Sequence, residues 1–124
     1  MIKKQKKILV AEDEKPLAKA LSLKLTKMGF LVSSVFNGAE ALKTLQKEKF
    51  DFILLDLIMP EKDGFKVLTE LQAKKNTTPV AVLSNLGQEE DTKRAKSLGA
   101  VAYFVKSDTP IQDIVNFVQQ QLDL

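Results

Sequence analysis

Five short apolar runs, each followed by an amphipathic stretch, constrain this chain more than any other feature. The runs are KILVA (7–11), FLVSSVF (30–36), FILLD (52–56), VAVLS (80–84) and AYFVK (102–106). Their length and near-continuous apolar character predict buried strands. The stretches between them carry helical spacing. Leu17, Leu21, Leu25 and Met28 form one stripe in 15–29, with Pro16 in the first turn and Gly29 as the stop. Asn37-Gly38 opens a second helix with Ala41, Leu42 and Leu45 inward, and Leu68 and Leu71 mark a third over 64–75. A more polar helix at 89–100 ends on Gly99. The last helix begins with a capping box, Thr109 and Gln112, with Pro110 at the first helical position. Ile111, Ile114, Val115, Val118 and Leu122 supply its buried stripe. Strands that alternate with helices imply a parallel sheet, and right-handed crossovers cover both of its faces. The fold class is therefore α/β, a doubly wound five-stranded parallel sheet with five helices.

The 124 residues suit one domain with a single core, and no linker or low-complexity tract divides them. The chain reads as a single domain over 1–124 with a basic extension at 1–6. That extension, within MIKKQKK, carries much of the formal charge of +3. It reads as a solvated terminus, since nucleic-acid surfaces spread over a folded face with aromatics or a motif to match. No direct nucleic-acid binding is expected. No run is long enough to span a bilayer and no signal peptide is visible, so a soluble, cytoplasmic domain is expected. Cysteine and histidine are both absent, which excludes disulfides, thiolate metal sites and the usual general base. Any metal must be held by oxygen.

Ligands of such sheets gather at the carboxyl ends of the strands. The first strand runs into Glu12-Asp13-Glu14, the third into Asp56, the fourth into Ser84 and the fifth into Lys106. Each has an ordinary reading: an acid can cap a helix, a serine can make a local turn, a lysine can snorkel. Asp56 resists this, because its strand is so apolar that an uncompensated charge there is costly. Clustered carboxylates repel unless a cation intervenes, and Mg²⁺ suits one or two carboxylates with a phosphoryl oxygen. A metal, an ammonium and a hydroxyl around one carboxylate are the parts of a phosphoryl-transfer site. Asp56 would then be a nucleophile forming an acyl phosphate.

With Glu12-Asp13, Asp56 in LLDLIMPEKDG, Ser84, Tyr103 and Lys106 in order, the chain resembles the receiver domain of two-component response regulators from about Ile8 to Leu122. The resemblance implies a flavodoxin-like sheet in the order 2-1-3-4-5. It implies that Asp56 accepts a phosphoryl group from a histidine kinase, a phosphotransfer protein or a small phosphodonor. Asp13, Asp56 and the Ile58 backbone carbonyl would hold Mg²⁺, with Glu12 acting through water. Lys106 would contact phosphoryl oxygens, and Ser84 and Tyr103 would switch the surface from the fourth helix to the fifth. Pro60 and Gly64 match the family's turn, Gly64 by permitting a positive φ. The chain departs from the family's pattern at Ser107, where proline is usual, at Asn85, where a small residue is common and slower self-dephosphorylation is expected, and at Glu12, where aspartate is frequent. Partners would include a downstream protein target or an output domain in a longer regulator, and the domain would be a monomer or a weak homodimer.

Two other readings remain at this point. One is a pseudo-receiver that serves only as an interaction surface. The other is an aspartyl-phosphate phosphatase, but enzymes of the haloacid dehalogenase type carry a second Asp two positions on, where this chain has Ile58. A flavin carrier fits less well, because the loop after the first strand is acidic. The expected role is a self-phosphorylating switch, not a metabolic enzyme.

Overall fold

A computed structural model describes residues 5–59 and 63–122. In chain order the elements are β1 (Lys7–Ala11), α1 (Lys15–Lys27), β2 (Leu31–Val35), α2 (Gly38–Lys47) and β3 (Phe52–Asp56), then α3 (Gly64–Ala73), β4 (Val80–Ser84), α4 (Glu89–Ser97), β5 (Ala102–Val105) and α5 (Ile111–Leu122). The strands form one sheet in the order β2-β1-β3-β4-β5, every neighbouring pair parallel. This is the expected doubly wound, flavodoxin-like arrangement.

The two-residue period of a strand divides the core into two layers. Leu9, Ala11, Ile53, Leu55, Val80 and Val82 face one side, packed with Leu42, Leu68, Leu71 and Ala95 from α2, α3 and α4. Ile8, Val10, Phe52, Leu54, Ala81 and Leu83 face the other, against Leu21 and Leu25 of α1 and Ile114, Val115 and Val118 of α5. β3 and β4 are buried along their whole length, which is why their sequences are so uniformly apolar. The stripes read from the sequence are the helix faces turned to the sheet.

Helix ends show where local chemistry decided. Asn37 caps α2 by accepting from the Glu40 amide at 2.8 Å, while the Glu40 carboxylate takes the Asn37 side-chain NH₂ at 2.9 Å. Asp63 caps α3 through the Lys66 amide at 3.0 Å. Gly29 and Gly99 take positive φ after α1 and α4, as C-terminal stops do. The capping box expected at α5 does not form. Its helix starts one residue later, and Gln112 instead donates to Asn116 Oδ1 at 2.9 Å and accepts from Lys24 Nζ at 3.2 Å. The Pro110 carbonyl, not a side chain, takes the Asp113 amide at 3.0 Å. Among the described residues no helix is long and apolar enough to cross a membrane.

Candidate functional site

Strand register builds the site. Ala11 pairs with Leu55, so the next residues along the two central strands, Glu12 and Asp56, end side by side at the carboxyl edge. Ser84 ends β4 opposite Val105, and the Lys106 amide donates to the Ser84 carbonyl at 2.9 Å, which carries the lysine to the same edge. The sequence thus brings its acids and its amine together.

Lys106 Nζ donates to Asp56 Oδ2 at 3.1 Å and to Glu12 Oε2 at 2.9 Å, and it lies 2.7 Å from Glu12 Oε1. Glu14 is more distant, its carboxylate 3.7 Å from the same ammonium and half exposed. Glu12 is wholly buried, and its Oε2 also accepts from the Glu14 amide at 2.9 Å. Its Oε1 is held by the Lys106 ammonium alone, as an ion pair. Asp56 is nearly buried, and the Ile58 amide donates to its Oδ1 at 3.2 Å. Asp13 stands beside them at the solvent edge, and carboxylate oxygens of Glu12, Asp13 and Asp56 lie within 4.8 Å of one another.

Ser84 is buried at this edge, with its hydroxyl turned to its own loop, where it accepts from the Leu86 amide at 3.1 Å. Tyr103 is half-buried and its hydroxyl donates to the Leu86 carbonyl at 2.5 Å. The two expected switch residues therefore meet at the backbone of Leu86. Nothing in the sequence marked Leu86, because a backbone amide and carbonyl leave no trace in residue identity. Asn85 is exposed and Ile58 turns its side chain outward, 55% exposed. The described residues contain no cis peptide, so Lys106–Ser107 is trans. Pro60 lies outside the described residues.

Gly64 corrects one expectation. It does not take a positive φ; the positive-φ glycines are Gly29 and Gly99. Gly64 is the first residue of α3, and its amide donates to the Leu57 carbonyl at 2.9 Å. A Cβ there would press on the Asp56 carbonyl oxygen and lie 2.7 Å from Leu57 Cα. Close approach of helix to strand demands the glycine.

Burial pushes the Asp56 carboxyl up to about 7, the Glu12 charge adds to the rise, and Lys106 and the Ile58 amide oppose it. Burial also raises Glu12, against the Lys106 hydrogen bond. Burial works against the Lys106 ammonium, but the Glu12 hydrogen bond and the charges of Asp56 and Glu12 outweigh it and hold its pKa above the usual lysine value. One ammonium thus serves two buried carboxyls, which is too little positive charge for both. The folded-state pKa of Asp56 exceeds its ordinary 3.8, so folding favours the neutral acid. That contribution is complete below about pH 4 and is lost as pH rises through about 7. Metal-free protein is therefore expected to show a falling urea midpoint over this window. Asp56→Asn should flatten the fall and gain roughly 1 kcal/mol at pH 8, the size of other stabilising changes at strained functional sites. A parent profile flat from pH 4 to 8 would contradict this account of the charge balance.

The donor set fits a hard divalent cation. It is all oxygen, carries more negative than positive charge, and brings carboxylate oxygens of Glu12, Asp13 and Asp56 within 4.8 Å of one another. Asp13 and Asp56, with the Ile58 carbonyl and Glu12 behind them, are the groups that would hold Mg²⁺.

Comparison with known proteins identifies the family. The family profile described as "Response regulator receiver domain" matches residues 8–119. A probable transcriptional regulator, ycf27 of Cyanidium caldarium, is 35% identical over 94% of this chain and 49% of its own length. The alkaline phosphatase synthesis transcriptional regulatory protein PhoP of Bacillus subtilis is 36% identical over 85% of this chain and 44% of its own. The chain thus spans about half the length of the curated relatives it matches. Among solved structures, the receiver domain of a Francisella response regulator superposes with a TM-score of 0.89 at 30% identity, covering 94% of this chain and 96% of that one. The BeF3-activated receiver domain of Klebsiella pneumoniae RstA gives 0.85 at 25% identity, covering 95% and 99%.

Proposed function

This chain belongs to the response regulator receiver-domain family, and from that premise we propose that it is a phosphorylation-controlled switch whose phosphoacceptor is Asp56. The observation that carries the reading is the shared ammonium: Lys106 holds a nearly buried Asp56 and a wholly buried Glu12 at once. A carboxylate kept at such electrostatic cost needs a use, and phosphoryl transfer to a carboxylate is one that relies on positioning and charge compensation.

A carboxylate oxygen of Asp56 attacks the donor phosphorus while the bond to the donor nitrogen or oxygen breaks, leaving an acyl phosphate on Asp56. Lys106 is already within hydrogen-bond reach of Oδ2 and follows the charge onto the phosphoryl oxygens. Glu12 keeps that ammonium in place from the opposite side. Asp13 completes the acidic set at the solvent edge. When bound, Mg²⁺ would supply the charge neutralisation that a single lysine cannot. Ser84 exchanges the Leu86 amide for the new phosphoryl group, and its loop moves with it. Tyr103, tied to the Leu86 carbonyl, reports that movement to the surface of α4, β5 and α5. The donor is a histidine kinase or phosphotransfer protein, and the reader of the switched surface is a target protein or an output domain.

The chain has one tyrosine and no tryptophan, so its tyrosine fluorescence reports on Tyr103 alone. Adding beryllofluoride, a phosphoryl mimic, with Mg²⁺ is expected to change that emission saturably in the parent and not in Asp56→Asn. Emission that responds equally in both would remove Asp56 from the proposal.

A further inference from the structure

α4 is held to the rest of the molecule by little. Its sequence, EEDTKRAKS, is polar almost all round, and it buries one residue, Ala95. Leu98 and Leu86, on either side of it, are only partly buried against the core. A helix with so small an apolar face draws little stability from packing and belongs to the part of a fold that opens most readily.

One side-chain contact stands out against that background. Arg94, the only arginine in a chain with 19 Lys+Arg, lays its guanidinium over the Phe65 ring, with its central carbon 4.0 Å from the ring centroid. A planar guanidinium stacks on an aromatic face where lysine, a compact point charge, does so less well. Phe65 is the second residue of α3 and is buried, 8% exposed. The residue before it, Gly64, packs directly on the Asp56 backbone and is hydrogen-bonded to Leu57. The stack therefore joins the helix with the fewest buried residues to the turn of α3 seated on the Asp56 backbone. This path does not pass through Ser84 or Tyr103.

We propose that the Arg94–Phe65 stack is a latch that holds α4 against the first turn of α3, and that Arg94 positions the Asp56 segment through Phe65. The coupling rests on Asp56 being the phosphoacceptor. A latch that positions this segment biases the loading of Asp56, and by linkage loading of Asp56 biases the hold on α4 by the same factor. It cannot shift the balance by more than the contact itself contributes, so the effect is small and bounded.

The test is a double-mutant cycle on the full chain, with Mg²⁺-dependent beryllofluoride affinity read from Tyr103 emission. Arg94→Gln and Phe65→Leu should each shift binding in the same direction by about two- to five-fold, the factor an exposed cation–π pair can supply. The double variant should show no shift beyond the larger single effect. Lys96→Gln, which removes a charge from the same helix without touching Phe65, calibrates the electrostatic part and should leave affinity unchanged. Amide hydrogen exchange in the absence of beryllofluoride should quicken by a similar factor in α4 of Arg94→Gln and stay unchanged in α5. Unaltered exchange in α4 would overturn the latch. Faster exchange with unaltered affinity, or additive effects in the double variant, would overturn the coupling. If the parent bound no beryllofluoride, the reading of Asp56 would fall and the coupling with it, while exchange in α4 would still judge the latch alone.

Discussion

Gly64→Ala is expected to lower stability by roughly 3 kcal/mol, at or beyond the upper end of overpacking effects, because the clash is with backbone on both sides. The added methyl would meet the Asp56 carbonyl oxygen and Leu57 Cα, and neither can swing away as a flexible side chain could. Relief requires α3 to lift from β3, which breaks the hydrogen bond from the Gly64 amide to Leu57 and displaces the segment that carries Asp56. Urea unfolding should show a lower midpoint with an unchanged slope, and the variant should bind Mg²⁺ and beryllofluoride more weakly even where it is still folded. A loss under 1 kcal/mol with binding intact would mean that the turn absorbs the methyl by a local shift, and that the glycine is present for another reason.

Lys106→Met should be nearly as costly, but only under the conditions that charge its partners. Met replaces the aliphatic stem and removes the ammonium, leaving Glu12 and Asp56 facing each other in a buried pocket. Removing one member of a buried charged set typically costs about 3–5 kcal/mol, and the lower end applies here because both carboxyls can take up protons instead. The expected loss is roughly 3 kcal/mol at pH 8 without Mg²⁺. It should shrink at pH 5, where Asp56, raised to about 7 even with the lysine present, is neutral. Mg²⁺ should restore part of it at pH 8 by binding only the folded state. Equal destabilisation at both pH values, untouched by Mg²⁺, would assign the lysine to packing alone.

Sequence and structure agree where one residue's identity carries the physics. Asp56 could be picked out because an acid closing the run FILLD has no ordinary explanation, and the register then sets it beside Glu12 as expected. The parallel sheet covered on both faces follows from strand length, helical stripes and the rules of parallel crossovers, whereas its strand order was legible only through the resemblance to receiver domains. What escaped the sequence depended on backbone atoms or on distant pairs. Gly64 looked like a turn glycine, since a tight turn and a close approach both ask for glycine and only coordinates separate them. The meeting of Ser84 and Tyr103 on Leu86 uses the amide and carbonyl of a residue whose side chain is incidental. At α5, Thr109 and Gln112 had the spacing of a capping box, yet Gln112 found Asn116 one turn along its own helix and Lys24 on α1, and the second of these is a tertiary contact that no local motif encodes. Arg94 and Phe65 belong to different helices, and neither is unusual alone.

The central claim is that Asp56 takes a phosphoryl group with the help of this acidic pocket. Its most direct test is intact mass after incubation with acetyl phosphate and Mg²⁺, with Asp56→Asn and an EDTA-treated sample alongside. The account predicts one phosphoryl adduct in the parent and none in the other two. An adduct that persists in Asp56→Asn or in EDTA would contradict it.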